Sequence, residues 1–336
     1  MKKTVIFFLA VFFGLVCLSF SETKTFSYDG YSLKVSYADL VYPGDPVFIR
    51  LDFLTVSKKF IKKISPETSE SGNLEVYRIT EDGGISEKAL GKAPFYQLEK
   101  NREKKRVQSV LLAAIPLSTY VKAGRCLSKI TFSAFGQEEK AVEIGFEIGE
   151  KRFVSETIPL NVSNTKIRTN YSSERMNQID RLNNILDTKN YDAVYETGSF
   201  APPTPAVRRT SFFGDRRIFA YSNGKSSTSL HYGIDYGVPT GSEVRACGRG
   251  RVVMAEDRIS TGWSVCIEHL PGLYSLYYHM SRLDVEVGQT VERGELLGLS
   301  GATGLATGPH LHWEVRLNME AINPDFMTRD FAFSQQ

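Results

Sequence analysis

The histidines are the residues of this sequence best suited to chemistry. The chain of 336 residues contains only five, and all of them lie between positions 231 and 312. Two motifs stand out, His231-x-x-x-Asp235 and His310-Leu-His312. Imidazole and carboxylate groups are ligands that zinc accepts when no thiolate is offered. Either motif alone is weak, but together they predict a metal site.

The spacing of the motifs sets conditions on the local structure. On a strand, residues i and i+2 point to the same face, so His310 and His312 would lie side by side. A fully extended strand would place His231 and Asp235 roughly 13 Å apart, whereas two ligands of one zinc ion lie about 3–4 Å apart. The chain must therefore curl between them, and we expect Gly233 to permit the curl through its conformational freedom.

The elements that must carry these residues are short strands. From about position 207, glycines are frequent and separate short β-runs at 252–255, 264–268 and 273–279. Many glycines between short strands indicate tight turns in a compact antiparallel sheet. We therefore predict one C-terminal domain over residues 207–336.

The N-terminal half has a strand pattern without histidines. Apolar residues alternate with polar ones at 47–53 and 142–148, which predicts half-buried antiparallel strands. We predict an Ig-like β-sandwich over residues 22–160, so that the whole chain is mainly all-β.

A short helical connector is predicted between the two domains. Apolar residues fall on one helix face over 172–188, and Ser172 or Ser173 can cap its start. The proline-rich segment 201–206 then favours an extended linker. The arm and linker together cover residues 161–206.

The first residues have the pattern of an export signal. Two lysines precede an apolar run from position 5 to 18, and small residues follow. This predicts a signal peptide over residues 1–21 and an exported protein of the periplasm or cell envelope. The alternative is an uncleaved membrane anchor.

Charge and cysteine content exclude other classes. The chain has 41 Lys and Arg against 38 Asp and Glu, a net charge of +3, which gives no reason to expect nucleic-acid binding. Of the mature cysteines Cys126, Cys247 and Cys266, we expect buried free thiols. A disulfide between Cys247 and Cys266 is the alternative.

Four segments resemble one family. Residues 211–217, the His231/Asp235 motif, residues 278–280 and residues 307–314 are similar to the corresponding parts of lysostaphin/LytM-type zinc metallopeptidases. The resemblance covers about residues 208–326. Members of this family are endopeptidases that cleave peptide cross-bridges of bacterial peptidoglycan. The resemblance implies a narrow antiparallel β-sheet groove of the duplicated hybrid motif type, with peptidoglycan peptide as the substrate.

The resemblance also implies residue roles. His231, Asp235 and His312 would hold one Zn²⁺ per chain, and His310 and His279 would be the unligated catalytic pair. We expect His279 to reach the groove from the strand face that also carries Ser275 and Tyr277, with Tyr278 behind it. The division of acid and base roles between the two histidines stays open. His269 matches no functional position of the family.

Other functions remain to be weighed. Some relatives have lost zinc ligands and act as wall-binding or hydrolase-activating modules, but here all five positions are filled. The sandwich could shield the groove, bind a partner or the wall, or serve as a spacer. A membrane partner is expected only if the signal segment is retained.

Overall fold

The protein is mainly β, as the sequence predicts. A computed structural model describes residues 21–65 and 67–329. Residues 1–20 of the predicted signal peptide lie outside the described residues. No helix within the described ranges is long and apolar enough to cross a membrane.

Two five-stranded sheets form the N-terminal part and contribute to one hydrophobic core. In spatial order, the first sheet consists of β1 (Ser21–Tyr28), β2 (Tyr31–Ala38), β4 (Pro46–Thr55), β8 (Arg106–Pro116) and β7 (Tyr96–Glu103). The second consists of β3 (Leu40–Val41), β10 (Lys140–Ile148), β9 (Gly124–Ser133), β5 (Ser71–Arg78) and β6 (Gly91–Pro94). A short helix, α1 (Lys58–Ile61), follows β4. The Ig-like topology stays a prediction.

Burial differs between the two strands that the sequence singled out. Strand β10 alternates between buried and exposed positions, as predicted. The prediction that β4 is half-buried was wrong, because residues of both of its faces are buried. The ring of Phe48 stacks 6.1 Å from that of Phe326, and Arg50 and Asp52 neutralise each other through two hydrogen bonds. The second face of β4 is therefore covered by the C-terminal part of the chain, which periodicity could not show.

The arm between the two large parts contains two helices. Helix α3 (Ser173–Asp187) confirms the predicted connector, and the Ser172 side chain caps it by accepting from the backbone N–H of Arg175. Its residue Leu186 is buried against the C-terminal sheet. A shorter helix, α2 (Val162–Arg168), was not predicted.

A three-stranded sheet joins the end of the predicted sandwich to the C-terminal part. It consists of β11 (Ser155–Pro159), β13 (Arg216–Ala220) and β14 (Ser226–Leu230). Strand β11 pairs in parallel with β13, although 155–159 precedes the predicted boundary at residue 160. The domain boundaries stay predictions, but this pairing ties the end of the predicted sandwich range to the C-terminal part.

A ten-stranded sheet forms most of the C-terminal part. Its main path runs through β12 (Arg209–Ser211), β15 (Gly233–Tyr236), β22 (Leu311–Leu317), β19 (Leu273–Leu283), β18 (Gly262–Leu270), β17 (Gly250–Arg258) and β20 (Thr290–Val291). Strands β16 (Glu243–Arg245), β21 (Leu296–Ser300) and β23 (Glu320–Ile322) flank this path, and α4 (Pro324–Met327) follows. Its strand pairs are antiparallel, as predicted.

The cysteines are buried free thiols. Cys126, Cys247 and Cys266 are all unpaired and buried. The structure thus has no Cys247–Cys266 disulfide, and the expectation of free thiols is confirmed.

A buried polar contact connects the sandwich to the C-terminal part. The amide of Asn323 donates to Oδ1 of Asp45 at 2.8 Å, and the Asn323 backbone N–H donates to the Gly44 carbonyl, also at 2.8 Å. Asp45 is fully buried, and that burial raises its carboxyl pKa. The Asn323 side chain therefore supplies a hydrogen bond that water cannot replace.

We expect Asn323→Ala to destabilise the protein by about 1–3 kcal/mol, because it leaves a buried carboxylate oxygen without its donor. The free energy of unfolding from urea titration checks this. The matched control is Asn183→Ala on the exposed side of α3, which should stay within about 0.5 kcal/mol. Equal stabilities of the two variants would contradict the role of the contact.

Candidate metal centre

Three electron-pair donors converge on the ten-stranded sheet. Nε2 of His231 lies 3.0 Å from Oδ1 of Asp235 and 3.0 Å from Nδ1 of His312. Nδ1 of His312 lies 2.8 Å from the same Asp235 oxygen. All three residues are buried, and the structure shows them as a group able to hold a metal ion. Their roles as ligands stay a prediction, but the structure brings the predicted set together.

The register of two paired strands places Asp235 and His312 next to each other, and a curl of the chain before β15 places His231 beside them. Asp235 on β15 is directly opposite His312 on β22, so both side chains lie on one face. His231 precedes β15, and its backbone N–H donates to the Asp215 carbonyl while its carbonyl accepts from Gly214. The predicted curl between His231 and Asp235 is therefore confirmed.

Glycine is needed at position 233, but the reason expected for it, conformational freedom, was wrong. Gly233 does not have the positive φ that would require glycine. Instead, a Cβ at this position would lie 2.2 Å from the Trp313 carbonyl oxygen and 2.8 Å from Nε2 of His312. Glycine is needed here because β15 and the His312 ring approach each other closely.

His279 reaches the site by a route that the sequence did not predict. Its backbone adopts a left-handed φ of 62°, next to an irregularity in the β18–β19 pairing. The Tyr278 ring, which was expected behind His279, instead stacks on the His312 ring at 5.4 Å and lies edge-on to the His279 ring at 6.4 Å. The left-handed residue turns His279 toward the same side, where its ring lies 4.7 Å from that of His310.

Each of the four histidines has one ring nitrogen oriented by a fixed acceptor. Such contacts set the tautomer and the ring orientation of metal-binding histidines. The pairs are His231 Nδ1 with the Phe212 carbonyl at 2.8 Å, His279 Nδ1 with Thr303 at 2.7 Å, His310 Nδ1 with Gly308 at 2.9 Å and His312 Nε2 with the Glu314 carboxylate at 3.5 Å. In the neutral form of each ring, these contacts leave the lone pair on the opposite nitrogen.

The electrostatics of the group keep Asp235 ionised and favour positive charge on His312. Burial alone would raise the pKa of Asp235, but hydrogen bonds with His231 and His312 hold that pKa well below its usual value. Burial alone would lower the pKa of His312, but Asp235 and Glu314 raise it to about 9. His279 has no such carboxylate contact, and burial followed by repulsion from His310 and His312 lowers its pKa to about 3.

His269 is an ordinary buried strand residue, as predicted. Its Nδ1 lies 2.8 Å from the Arg249 carbonyl and its Nε2 lies 2.8 Å from the Ser275 hydroxyl. Burial lowers its pKa to about 4. Both ring nitrogens are occupied, which leaves neither for a metal.

Two further residues contact the group and were missed. Glu314 is buried behind His312, and its position two residues along the same strand could have indicated a shared face. Arg217 donates to Oδ2 of Asp235 at 2.7 Å. Arg217 lies in the segment 211–217 that resembles the family, but its spacing does not indicate this contact, because β13 and β15 belong to different sheets.

Helix α2 also contacts the surroundings of the site. The Asn164 amide donates to the Ala306 carbonyl at 3.0 Å, in the loop that precedes His310. The Thr165 hydroxyl accepts from the backbone N–H of Ser222, in the turn between β13 and β14, also at 3.0 Å. The arm thus links two loops of the C-terminal part, while the shielding and spacer roles of the sandwich stay predictions.

We expect Gly233→Ala to lower the free energy of unfolding by about 1–3 kcal/mol, since the added methyl group must push β15 and β22 apart. Thermal unfolding of the full chain measures this. Gly145→Ala in β10 is the matched control, because its Cβ would meet only an ordinary contact at 3.9 Å. That control should be neutral or stabilising by up to about 1 kcal/mol; a Gly233→Ala protein as stable as the control would contradict the close-approach argument.

Comparison with known proteins places the C-terminal part in a family. Residues 229–324 match the sequence profile described as Peptidase family M23. The DD-carboxypeptidase/endopeptidase Mpg of Neisseria meningitidis is 42% identical over 95 residues, which is 28% of this chain and 22% of the relative. The peptidoglycan DD-endopeptidase ShyA of Vibrio cholerae is 35% identical over 135 residues, 40% of this chain and 31% of the relative. The matches therefore span less than a third of these two relatives.

One solved structure is similar to about a third of this chain. The catalytic domain of lysostaphin from Staphylococcus simulans is 28% identical, with coverage of 35% of this chain and 89% of that one and a TM-score of 0.31. The family profile and the curated relatives confirm the resemblance inferred from the four sequence segments. Residues 229–324 therefore form a domain of peptidase family M23.

Proposed function

We propose that this protein is a zinc-dependent endopeptidase that hydrolyses peptide cross-bridges of peptidoglycan in the bacterial cell envelope. The observation that carries the proposal is the convergence of His231, Asp235 and His312 beside a second histidine pair, His279 and His310. The relatives named as peptidoglycan DD-endopeptidases support the substrate class. The predicted signal peptide supports export.

The donor set suits zinc. Two imidazoles and one carboxylate are a typical catalytic ligand set, which leaves a fourth position for water or substrate. The facing nitrogens of His231 and His312 lie only 3.0 Å apart, an arrangement that a cation between them stabilises. A zinc ion held there would supply a Lewis acid that polarises a peptide carbonyl and makes water more acidic.

His279 and His310 are placed to move protons. Each donates from Nδ1 to a backbone carbonyl, so each has Nε2 free to accept a proton. The lowered pKa of His279 keeps its ring neutral at pH 7. Together the pair can take a proton from the attacking water and return one to the leaving amine.

The presence of this pair favours an enzyme over a binding module. A module that only binds the cell wall would need the zinc site at most, and it would have no use for two further oriented histidines. The rings of His279 and His310 lie 4.7 Å apart, next to the proposed metal position. This geometry is what acid–base catalysis requires.

The metal assignment predicts one zinc per chain, lost in each of His231→Ala, Asp235→Ala and His312→Ala, because each variant removes one of only three ligands. Elemental analysis of the purified mature chain measures the occupancy. The His310→Ala protein serves as the control that keeps its zinc. Full zinc occupancy in any of the three ligand variants would show the ligand set to be wrong.

The catalytic assignment predicts that His310→Ala and His279→Asn keep zinc but lose turnover by roughly 10²–10⁴-fold. Asparagine is chosen at position 279 because it tolerates the left-handed backbone there. Digestion of purified muropeptides by the zinc-loaded chain, with fragments identified by mass spectrometry, gives the rates and the bond cleaved. Loss of zinc from His310→Ala together with its retention in His312→Ala would reverse the roles of these two residues.

A further inference from the structure

The two oxygens of Asp235 have different partners. Oδ1 faces His231 and His312 at 3.0 and 2.8 Å, whereas Oδ2 accepts from Nη2 of Arg217 at 2.7 Å. The terminal torsion of an aspartate is broad and has no strong preference of its own. The contact with Arg217 therefore determines which way the carboxylate plane turns, and so where Oδ1 points.

Arg217 is itself held by a residue of β11, at the end of the predicted sandwich range. Its Nε donates to Oε1 of Glu156 at 3.2 Å, and the Ser211 hydroxyl donates to the same oxygen at 3.1 Å. Glu156 lies directly beside Arg217 in the parallel pairing of β11 with β13. Ser211 is aligned with Asp235 in the pairing of β12 with β15. Glu156 thus connects β12, which pairs with the strand of Asp235, to β13, which carries Arg217.

We propose that Arg217 is a positioning residue for Asp235 and that Glu156, which precedes all the segments that resemble the family, acts through Arg217 to complete the metal centre. Both residues precede the matched range of 229–324. The inference rests on the proposed function, because it takes Asp235 to be a metal ligand.

The ion pair between Arg217 and Asp235 is more buried than an ordinary surface ion pair. The side chains of Arg217 and Asp235 are only 16% and 7% exposed. Surface pairs typically contribute little, and a comparable pair in the same domain, Arg209 with Asp325, is 27% and 35% exposed. Loss of a hydrogen bond that orients a metal ligand typically lowers metal affinity by about 10–100-fold. Loss of a surface ion pair is not expected to have this effect.

The test measures the zinc affinity of the full chain by competition with a chelating dye. We expect Arg217→Gln to weaken zinc binding by roughly 10–100-fold, and Arg217→Lys, which keeps the charge but not the planar fork, to lie between that variant and the native protein. Glu156→Gln should weaken binding less than Arg217→Gln. The double variant should be no weaker than Arg217→Gln alone, because Glu156 acts only through Arg217. Asp325→Asn is the control and should bind zinc as the native chain does.

The outcomes separate this inference from the proposed function. Native affinity in Arg217→Gln, or an equal loss in Asp325→Asn, would overturn the positioning role. Additive losses in the double variant would overturn the action of Glu156 through Arg217. Native affinity in Asp235→Ala would instead overturn the ligand assignment of the proposed function. If Arg217→Gln does not fold, native affinity in both Arg217→Lys and Glu156→Gln decides against the inference.

Discussion

Three buried electron-pair donors within 4.8 Å of one another are the constraint on which the rest of this domain depends. Lone pairs this close repel unless a proton or a cation lies between them, so the fold must position the donors to share one of the two. It does so with rigid elements: Asp235 and His312 are opposed in one strand pair, and His231 is fixed by two backbone hydrogen bonds. A site on rigid strands is more precise than one on loops.

The surroundings of the site follow from the same constraint. The ring nitrogens that face away from the cluster are occupied by carbonyl groups or by Glu314, so the opposite nitrogens face into the cluster. The close approach of β15 to His312 excludes a side chain at Gly233. On the outer side, Arg217 balances the charge of Asp235 and is balanced in turn by Glu156. Each of these contacts limits the movement of a side chain or strand that carries one of the three donors.

The sequence predicts what depends on local spacing and misses what depends on distant contacts. The period of two in His310-Leu-His312 and the Ser172 cap of α3 are local, and the structure agrees with both. The left-handed backbone of His279 could not be predicted, since a non-glycine residue adopts it only when its neighbours require it. The burial of both faces of β4 likewise depends on a partner far along the chain.

The parallel pairing of β11 with β13 has a consequence for the order in which this domain assembles. Glu156 and Arg217 are 61 positions apart in the chain, and parallel neighbours need a crossover connection, here one that contains α2 and α3. Contacts between residues so distant form slowly, because the entropy of closing the intervening loop must be lost first. The hairpins of the large sheet can form earlier from neighbouring residues. With the positioning role proposed for Arg217 and Glu156, capture of a metal ion would be a late step in folding that follows closure of this long loop.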